Sequence, residues 1–159
     1  MRGKKMTVLI DADGCPVVDI TVKTANQAGA ECVIICDTAH MFEISGTKTV
    51  IVSKGNDSVD FALVNMIQKG DIVVTQDHGL AAMCMARGGV PVNQNGLIYT
   101  DANINELLMR RYAANKIRMA GGRLKGPSKR KPEQDKTFEK TLRGLLSVED
   151  YMLDDRLWS

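Results

Sequence analysis

The segment VLIDADGCP, residues 8–16, joins an apolar, partly β-branched run to two carboxylates, a glycine and a proline. The apolar run predicts a buried strand that ends at Asp11. Pro16 predicts the start of a helix that runs to Gln27 and stops at Gly29, because proline is favoured at helix starts and glycine just beyond helix ends. A strand that passes directly into a helix is typical of a βαβ unit, so the segment predicts an α/β fold with parallel strands.

The same alternation of strand and helix continues along the chain. Apolar runs predict further strands at residues 32–36, 48–52, 71–75 and 90–92. Helices are predicted from Asp57 or Ser58 to Gly70 and from Gly79 to Ala86. Because helices that cross between parallel strands cover the faces of the sheet, the predicted architecture has three layers.

Two helices follow the last predicted strand. The spacing of their apolar residues places them at residues 104–119 and 132–146. The intervening segment, residues 121–132, is rich in glycine, proline and basic residues, which predicts a loop. We therefore expect a single domain at residues 1–146, with C-terminal helices, and a tail at residues 147–159.

The composition is that of an ordinary globular protein. The 159 residues are 44% hydrophobic and 25% charged, which is enough to build one core without staples. The uncharged stretches are too short to span a bilayer, and the basic N-terminal residues are followed by too short an apolar run for a secretory signal. These features predict a cytoplasmic protein with reduced core thiols, namely Cys15, Cys32, Cys36 and Cys84.

The charges are unevenly distributed along the chain. Residues 1–108 carry a net charge of −4, residues 109–143 carry +9 and residues 144–159 carry −3. The middle segment holds 12 Lys and Arg against 3 Asp and Glu, which favours contact with a polyanion. A solvated helix surface with a basic linker gives the same pattern, so charge alone leaves both interpretations open.

Five aspartates are predicted to meet at one edge of the sheet, because ligands of parallel α/β sheets bind beyond the carboxyl ends of the strands. They are Asp11 and Asp13 after the first strand, Asp57 and Asp60 at the start of the helix after the third, and Asp77 after the fourth. Clustered carboxylates repel one another, so we expect a positive charge among them. An all-oxygen ligand set suits Mg²⁺ or Mn²⁺.

Each aspartate also has a purely local interpretation. The first pair could form the turn after its strand. Asp57 could cap the next helix, Asp60 could complement the helix dipole, and Asp77 could form an Asx turn. His78 is interpreted as structural, because a hard metal ion does not need imidazole. These local roles do not require all five aspartates to lie at one edge.

Several stretches of the chain resemble one known family. Residues 9–17, LIDADGCPV, are similar to the opening motif of the YaiI/YqxD family, bacterial proteins of the PIN-like superfamily. Residues 57–60 (DSVD), residues 74–81 (VTQDHGLA) and a C-terminal signature between Gly121 and Phe138 also resemble that family. The resemblance extends from about residue 6 to residue 146.

The resemblance implies a PIN-like fold whose acidic pocket binds one or two divalent ions and cuts RNA. Asp11 is similar to the aspartate that ends the first PIN strand, and Asp60 to the helix aspartate before the fourth strand. Asp77 is similar to the aspartate that follows the threonine of that strand. A further acid that many PIN domains carry on an earlier helix has no clear counterpart, and Asp13 or Asp57 could substitute for it.

We accordingly expect a metal-dependent nuclease that hydrolyses phosphodiesters, of RNA rather than DNA. The expected catalytic residues are Asp11, Asp13, Asp60 and Asp77. The expected ligands of Mg²⁺ or Mn²⁺ are Asp11, Asp57, Asp60 and Asp77. The expected contacts to the phosphate backbone are Arg123, Lys125, Lys129, Arg130 and Lys131.

Two other functions remain open on the sequence alone. Residues 11–14, DADG, resemble the nucleophile motif of haloacid dehalogenase-type phosphatases, although Cys15 replaces the expected threonine or valine and Lys54 would have to act as the required lysine. The second alternative is a non-catalytic RNA-binding or regulatory PIN-like module. A trapped phosphoaspartate would identify the phosphatase, and metal binding without turnover would favour the binding module.

Overall fold

A computed structural model describes residues 6–38, 44, 46–54, 58–122 and 129–152, and its centre is a five-stranded sheet. The strands are Thr7–Asp11 (β1), Glu31–Asp37 (β2), Lys48–Val52 (β3), Ile72–Val74 (β4) and Val90–Val92 (β5). Neighbouring strands pair in parallel throughout the sheet, as the alternation of strands and helices predicts.

The order of the strands creates a crevice near the centre of the sheet. From one edge to the other the order is β3-β2-β1-β4-β5. The strands β2 and β3 therefore lie on one side of β1, and β4 and β5 lie on the other side. Where the connections of two neighbouring strands leave in opposite directions, a crevice opens beyond their carboxyl ends. The residues after β1 and β4 therefore lie next to each other at the place where α/β proteins bind ligands.

Five helices flank the sheet in the described part of the chain. They are Val18–Gln27 (α1), Ser58–Met66 (α2), His78–Ala86 (α3), Asp101–Met119 (α4) and Pro132–Met152 (α5). The helices α1 and α5 cover one face of the sheet, α2 and α3 cover the other, and α4 packs against α3. The predicted three-layer α/β fold with C-terminal helices is confirmed.

Alternate residues of the central strands supply two separate cores. Ile10 and Ile34 belong to the core beneath α1 and α5, where they join the fully buried Phe138. Leu9 belongs to the opposite core, with Leu63 of α2. Successive side chains of a strand point to opposite faces, so strands covered on both faces are apolar throughout. This double burial holds the carboxyl ends of β1 and β4 rigidly in place.

The helix α4 begins three residues earlier than its apolar spacing predicts. Thr100 and Asn103 form a capping box, in which each side chain accepts a hydrogen bond from the other residue's backbone N–H. This pairing satisfies two groups that the first turn of a helix leaves without partners, so the helix starts at Asp101.

The other helices also differ from the prediction at their ends. The helix α2 ends at Met66 rather than at Gly70, and α3 begins one residue earlier, at His78. The first, α1, begins at Val18, two residues after Pro16. The last, α5, continues beyond residue 146 to Met152, so the first part of the expected tail is helical. Leu142 and Leu146 are buried under α1, and this packing keeps the last predicted turn helical, from which further turns can propagate.

Most of α4 lies on the surface. Ile104 is its buried residue, and its side chain packs with Ala81 of α3 and with Tyr99. The part of the helix from residue 109 to residue 119 is almost entirely exposed. Neither α4 nor any other helix in the described residues has the length and apolar character needed to cross a bilayer.

Candidate functional site

A cavity of about 770 Å³ opens at the carboxyl ends of the strands, and four of the five predicted aspartates line it. They are Asp11, Asp13, Asp60 and Asp77. The fifth, Asp57, lies outside the described residues. The polar side chains that accompany them are Asp37, Lys54, Gln76, His78 and Arg111. With Asp37 at the end of β2, the structure thus brings together carboxylates from four separate segments of the chain.

Thr75 connects the ends of β1 and β4 at the floor of the cavity. Its hydroxyl donates a hydrogen bond to Asp11 Oδ2 at 2.8 Å and accepts one from the backbone N–H of Asp77 at 3.0 Å. Thr75 is itself buried, and both bonds are partly buried. The carboxylate of Asp11 is therefore held in one orientation by a residue 64 positions away in the sequence.

Asp11 is a carboxyl group whose pKa the cavity changes strongly. Burial is the main cause that raises its pKa from 3.8 to about 6, and the hydrogen bond from Thr75 opposes this rise. The negative charges of Asp60, Asp77 and Asp13 raise the pKa further. A cation bound among these groups would favour the ionised form, so the cavity is electrostatically suited to positive charge.

Asp77 caps the helix α3 and also forms an ion pair. Its Oδ1 accepts a hydrogen bond from the backbone N–H of Leu80 at 3.1 Å, which is the N-cap arrangement. The same oxygen lies 3.2 Å from Nη1 of Arg111. A Cβ at Gly79 would lie 3.3 Å from this oxygen, so a glycine there leaves the carboxylate room. The turn predicted as the local role of Asp77 is therefore wrong, because the residue caps a helix instead. Asp77 caps α3 and lines the cavity at the same time.

Gln76 ties together the two loops that carry the aspartates. Its Nε2 donates a hydrogen bond to the carbonyl of Gly14 at 2.8 Å. Gly14 has a φ of 66°, a left-handed conformation that favours glycine, and it turns the chain directly after Asp13. The exposed side chain of Asp13 is consequently placed at the mouth of the cavity.

Asp60 reaches the cavity from α2, on the face of the sheet opposite to α1 and α5. It lies in the first turn of α2, where a carboxylate also complements the helix dipole. Among the three neighbouring carboxylates, Asp60 raises the pKa of Asp11 the most. The predicted dipole role and the predicted site role are therefore both compatible with its position.

Two cations line the acidic cavity, and sequence analysis identified only one of them as a candidate. Lys54 follows β3, and Arg111 comes from α4 on the other side of the crevice. Arg111 is one of the 12 basic residues of the segment 109–143, and the charge of that segment does not distinguish it from the others. The spacing of Arg111 does distinguish it. It lies seven residues, about two turns, after the buried Ile104, and therefore on the same side of α4.

His78 anchors α4 above the cavity. Its Nδ1 lies 3.3 Å from the carbonyl oxygen of Leu107, and its ring meets the ring of Tyr99 edge-on, with centroids 5.6 Å apart. The hydroxyl of Tyr99 donates a hydrogen bond to the carbonyl of Thr75 at 3.3 Å. These contacts favour the structural interpretation of His78, because the ring links α3 to the helix that carries Arg111.

The cysteines are all free thiols. Cys15, which stands beside the cavity, is half-buried, and burial together with the charge of Asp11 raises the pKa of its thiol to about 11. Burial likewise raises the thiol pKa of Cys32 and of Cys84 to about 12. Thiols with such pKa values are protonated at neutral pH, so they act as packing groups rather than as nucleophiles.

Arg130 serves as a brace between the loop after β5 and the start of α5. Its Nε donates to Asp135 Oδ1 at 2.7 Å, and its Nη1 donates to Asn95 Oδ1 at 2.7 Å. Its Nη2 donates to the carbonyl of Gln94 at 2.6 Å. Because three nitrogens are already bonded within the chain, this geometry does not favour the phosphate contact predicted for Arg130.

The other predicted phosphate contacts are only partly described. Lys129 and Lys131 are exposed at the start of α5, and the backbone N–H of Lys131 donates to Gln134 Oε1 at 2.7 Å. Arg123 and Lys125 lie outside the described residues. The predicted phosphate binding by these basic residues therefore stays a prediction.

The described side chains do not form a ready-made metal site. Among them, no three His, Cys, Asp or Glu side chains are arranged as a group that would hold an ion. Asp11, Asp60 and Asp77 line one cavity without closing into such a group. The fourth predicted ligand, Asp57, is outside the described residues, so metal binding stays a prediction.

The amino-acid sequence matches a known family over most of its length. Residues 9–148 match the family described as the uncharacterized YaiI/YqxD family. The chain belongs to the YaiI/YqxD family. It is 49% identical over 142 residues to a UPF0178 protein of Exiguobacterium sibiricum, covering 89% of this chain and 97% of that one. It is 50% identical over 137 residues to a UPF0178 protein of Ruminiclostridium cellulolyticum, covering 86% and 90%.

One solved structure matches the chain at low similarity. It is the crystal structure of a mutant of Rae1 (YacP) from Bacillus subtilis, matched over 91% of this chain and 99% of that chain. The TM-score is 0.42 and the sequence identity is 13%. A likeness at this level says nothing about the activity of this member of the YaiI/YqxD family.

Proposed function

We propose that the cavity of this YaiI/YqxD protein is the active site of a divalent-metal-dependent nuclease, which hydrolyses phosphodiesters of RNA in preference to DNA. The observation that carries the proposal is the convergence of Asp11, Asp13, Asp60 and Asp77 around one cavity at the crevice of a parallel sheet. The preference for RNA rests on the resemblance of these residues to those of PIN nucleases.

The chemistry of the donor groups fits an oxygen-seeking ion. The aspartates present oxygen ligands, which suit Mg²⁺ or Mn²⁺. Asp11, Asp60 and Asp77, together with Asp57, would hold the ion. Burial and three neighbouring negative charges disfavour the ionised form of Asp11. A bound cation would offset this electrostatic cost. When bound, such an ion supplies positive charge to the phosphate and makes water more acidic.

The residues of the chain prepare the cavity for a phosphodiester. Thr75 orients Asp11 from one side of the crevice, and the N-terminus of α3 holds Asp77 on the other. Asp13, exposed at the mouth, is placed to orient an attacking water by a hydrogen bond. Lys54 and Arg111 offer positive charge to phosphate oxygens of the bound strand, Lys54 to the reacting phosphate and Arg111 to the phosphate beside it.

The test combines ion binding with cleavage. Mn²⁺ and Mg²⁺ are titrated by calorimetry into the wild-type protein and Asp11→Asn, while labelled single-stranded RNA and DNA of one sequence are incubated in parallel. Asp11→Asn should abolish ion binding and cleavage. The matched control is Asp101→Asn, since Asp101 is an exposed aspartate at the start of α4 that does not line the cavity. Cleavage by Asp11→Asn at the wild-type rate would contradict the assignment.

A second candidate function is a non-catalytic RNA-binding module. Two observations favour it: the described carboxylates do not form a metal-ligand group, and Arg111 already neutralises part of the charge of Asp77. The same experiment separates the two functions, because a binding module retains RNA without cleaving it in either metal. A phosphoaspartate detected by mass spectrometry would instead favour the phosphatase, for which Lys54 is at least in the cavity.

A further inference from the structure

The C-terminal half of α4 is almost entirely exposed and contributes no buried residue to the core. Met109 and Met119 are 65% and 87% exposed, and the buried residue of the helix, Ile104, lies in its first half. From residue 107 to residue 122 the chain carries four Lys and Arg and no Asp or Glu. Residues 109–119, called here the α4 arm, therefore form a positively charged surface beside an acidic cavity.

One stripe of the α4 arm continues directly from the cavity. Arg111 lines the cavity, and Asn115 and Arg118 follow it by four and seven residues. At about 100° per residue, these positions lie within roughly 60° of one another, on the side of the helix that packs against α3 further back. Arg118 donates a hydrogen bond to Asn115 Oδ1 at 3.3 Å, which keeps the two exposed side chains side by side.

We propose that this stripe of the α4 arm binds the phosphate backbone of a single-stranded nucleic acid on its way out of the cavity. Arg111 would contact a phosphate next to the reacting one, and Arg118 a later phosphate, about 10 Å further along the helix. The inference rests on the proposed function and extends it, because it names a binding surface outside the aspartate cluster.

The partners of Arg111 support a role in phosphate binding. Within the described residues its guanidinium makes one hydrogen bond, from Nη1 to Asp77 at 3.2 Å, although the group has five N–H donors. Its side chain is 54% exposed. Arg111 can therefore engage a phosphate from solvent while it remains beside Asp77, a bidentate geometry for which guanidinium is well suited.

The shape of the site favours a single strand over a duplex. Asp11 lies at the floor of the crevice, whereas the α4 arm stands on the surface. A backbone that reaches the recessed carboxylate and then follows the exposed arm has to bend where it leaves the crevice. A duplex has a persistence length of about 50 nm and resists such a bend, whereas an unpaired strand does not.

The experiment measures binding in the absence of metal, so that cleavage does not interfere. A fluorescein-labelled 12-nucleotide single-stranded RNA is titrated with the full-length protein in EDTA at several salt concentrations, with fluorescence anisotropy as the readout. Arg118→Gln is the decisive variant, because Arg118 is exposed and does not line the cavity. Arg111→Gln is measured beside it. Thermal unfolding verifies that each variant is folded.

The matched control is Arg110→Gln, which makes the same charge change on the same helix. Arg110 lies about 100° around the helix from Arg111 and pairs with Glu106 at 2.5 Å, with 71% of its side chain exposed. Glutamine and arginine have similar helix propensities, so the helix itself is not perturbed. Arg110→Gln should bind the RNA with wild-type affinity within about twofold.

The expected result for Arg118→Gln is a roughly threefold to tenfold weaker affinity, with a salt dependence whose slope is reduced by about 0.7. Arg111→Gln should behave in the same way, and the same RNA annealed into a duplex should bind more weakly to the wild-type protein. Equal losses in Arg118→Gln and Arg110→Gln, equal affinity for duplex and single strand, or no RNA binding by the wild-type protein would each overturn the proposal.

These outcomes are independent of the proposed hydrolysis. If Arg118→Gln weakens binding but the wild-type protein cleaves no RNA in Mg²⁺ or Mn²⁺, the stripe stands and the nuclease proposal fails. If the wild-type protein cleaves RNA in an Asp11-dependent manner but Arg118→Gln and Arg110→Gln bind alike, the nuclease proposal stands and the stripe fails.

Discussion

Replacing Thr75 with valine removes the hydroxyl that joins the ends of β1 and β4. The residue is only 1% exposed. Its Oγ1 donates to Asp11 Oδ2 at 2.8 Å and accepts from the backbone N–H of Asp77 at 3.0 Å. Valine has nearly the same shape as threonine, so the substitution removes these two hydrogen bonds while the hydrocarbon packing of the crevice stays in place.

The two lost hydrogen bonds set the expected loss of stability. A bond to a charged group contributes roughly 1.5–3 kcal/mol, and a desolvated N–H left without its acceptor costs about 1–3 kcal/mol. Because the two contributions are not strictly additive, we expect Thr75→Val to lower the free energy of unfolding by about 2–4 kcal/mol at pH 8, where Asp11 is ionised.

Thr21→Val is the matched control for this substitution. Thr21 is fully buried in α1, and its Oγ1 donates to the backbone carbonyl of Val17 at 2.7 Å. The partner is neutral, so the loss should be about 1 kcal/mol. It should also be the same at every pH, because no titrating group takes part in the bond.

The loss caused by Thr75→Val should instead increase with pH. Burial, opposed by the Thr75 hydrogen bond, raises the pKa of Asp11 from 3.8 to about 6. Between these values the folded protein holds a proton that the unfolded chain has released, so the free energy of unfolding falls as the pH rises from about 4 to about 6. Without the Thr75 hydroxyl the pKa of Asp11 rises further, and the fall continues above pH 6.

Urea unfolding of the three proteins at pH 5, 6, 7 and 8, in EDTA, measures this difference. The gap between wild type and Thr75→Val should widen at each step above pH 6, whereas the gap between wild type and Thr21→Val should stay constant. Equal gaps for the two variants at every pH would refute the conclusion that Thr75 supports a buried carboxylate.

Two further substitutions test local features of the structure. Asp77→Asn should leave the free energy of unfolding nearly unchanged, because asparagine caps a helix as well as aspartate does, whereas Asp77→Ala should lower it by about 1 kcal/mol in chemical denaturation. Equal losses in the two variants would contradict the cap. Thr24→Val should keep or raise the melting temperature, because Thr24 Oγ1 is buried without a hydrogen-bond partner among the described residues. A clear fall in melting temperature would show that this hydroxyl is satisfied after all.

The strands could be predicted from the sequence because they depend on short apolar runs. The bounds of β3 and β5 agree with the prediction at both ends, and the predicted second strand, residues 32–36, lies inside Glu31–Asp37. The inner residues of β2 are buried and form an apolar run, whereas β3 is more exposed but rich in β-branched residues, so both patterns are visible without knowledge of their neighbours.

Helix ends were less predictable, for physical reasons that differ between helices. The start of α4 depends on the reciprocal bonds of Thr100 and Asn103, a local signal that lies upstream of the first buried position, Ile104. The helix α5 extends to Met152, and before that end Leu142 and Leu146 pack under α1, more than 100 residues earlier in the chain. The spacing of apolar residues along the chain indicates neither the capping box nor the contact with α1.

By itself, the sequence determined the alternation of strands and helices, the parallel pairing and the placement of an aspartate at the end of several elements, since all of these follow from local pattern. Only the tertiary structure decided which side chains meet: Thr75 joins Asp11 across 64 residues, and Arg111 reaches Asp77 across 34. Such contacts follow from the strand order β3-β2-β1-β4-β5 and from the packing of α4 on α3, which are collective properties of burial that no local segment encodes.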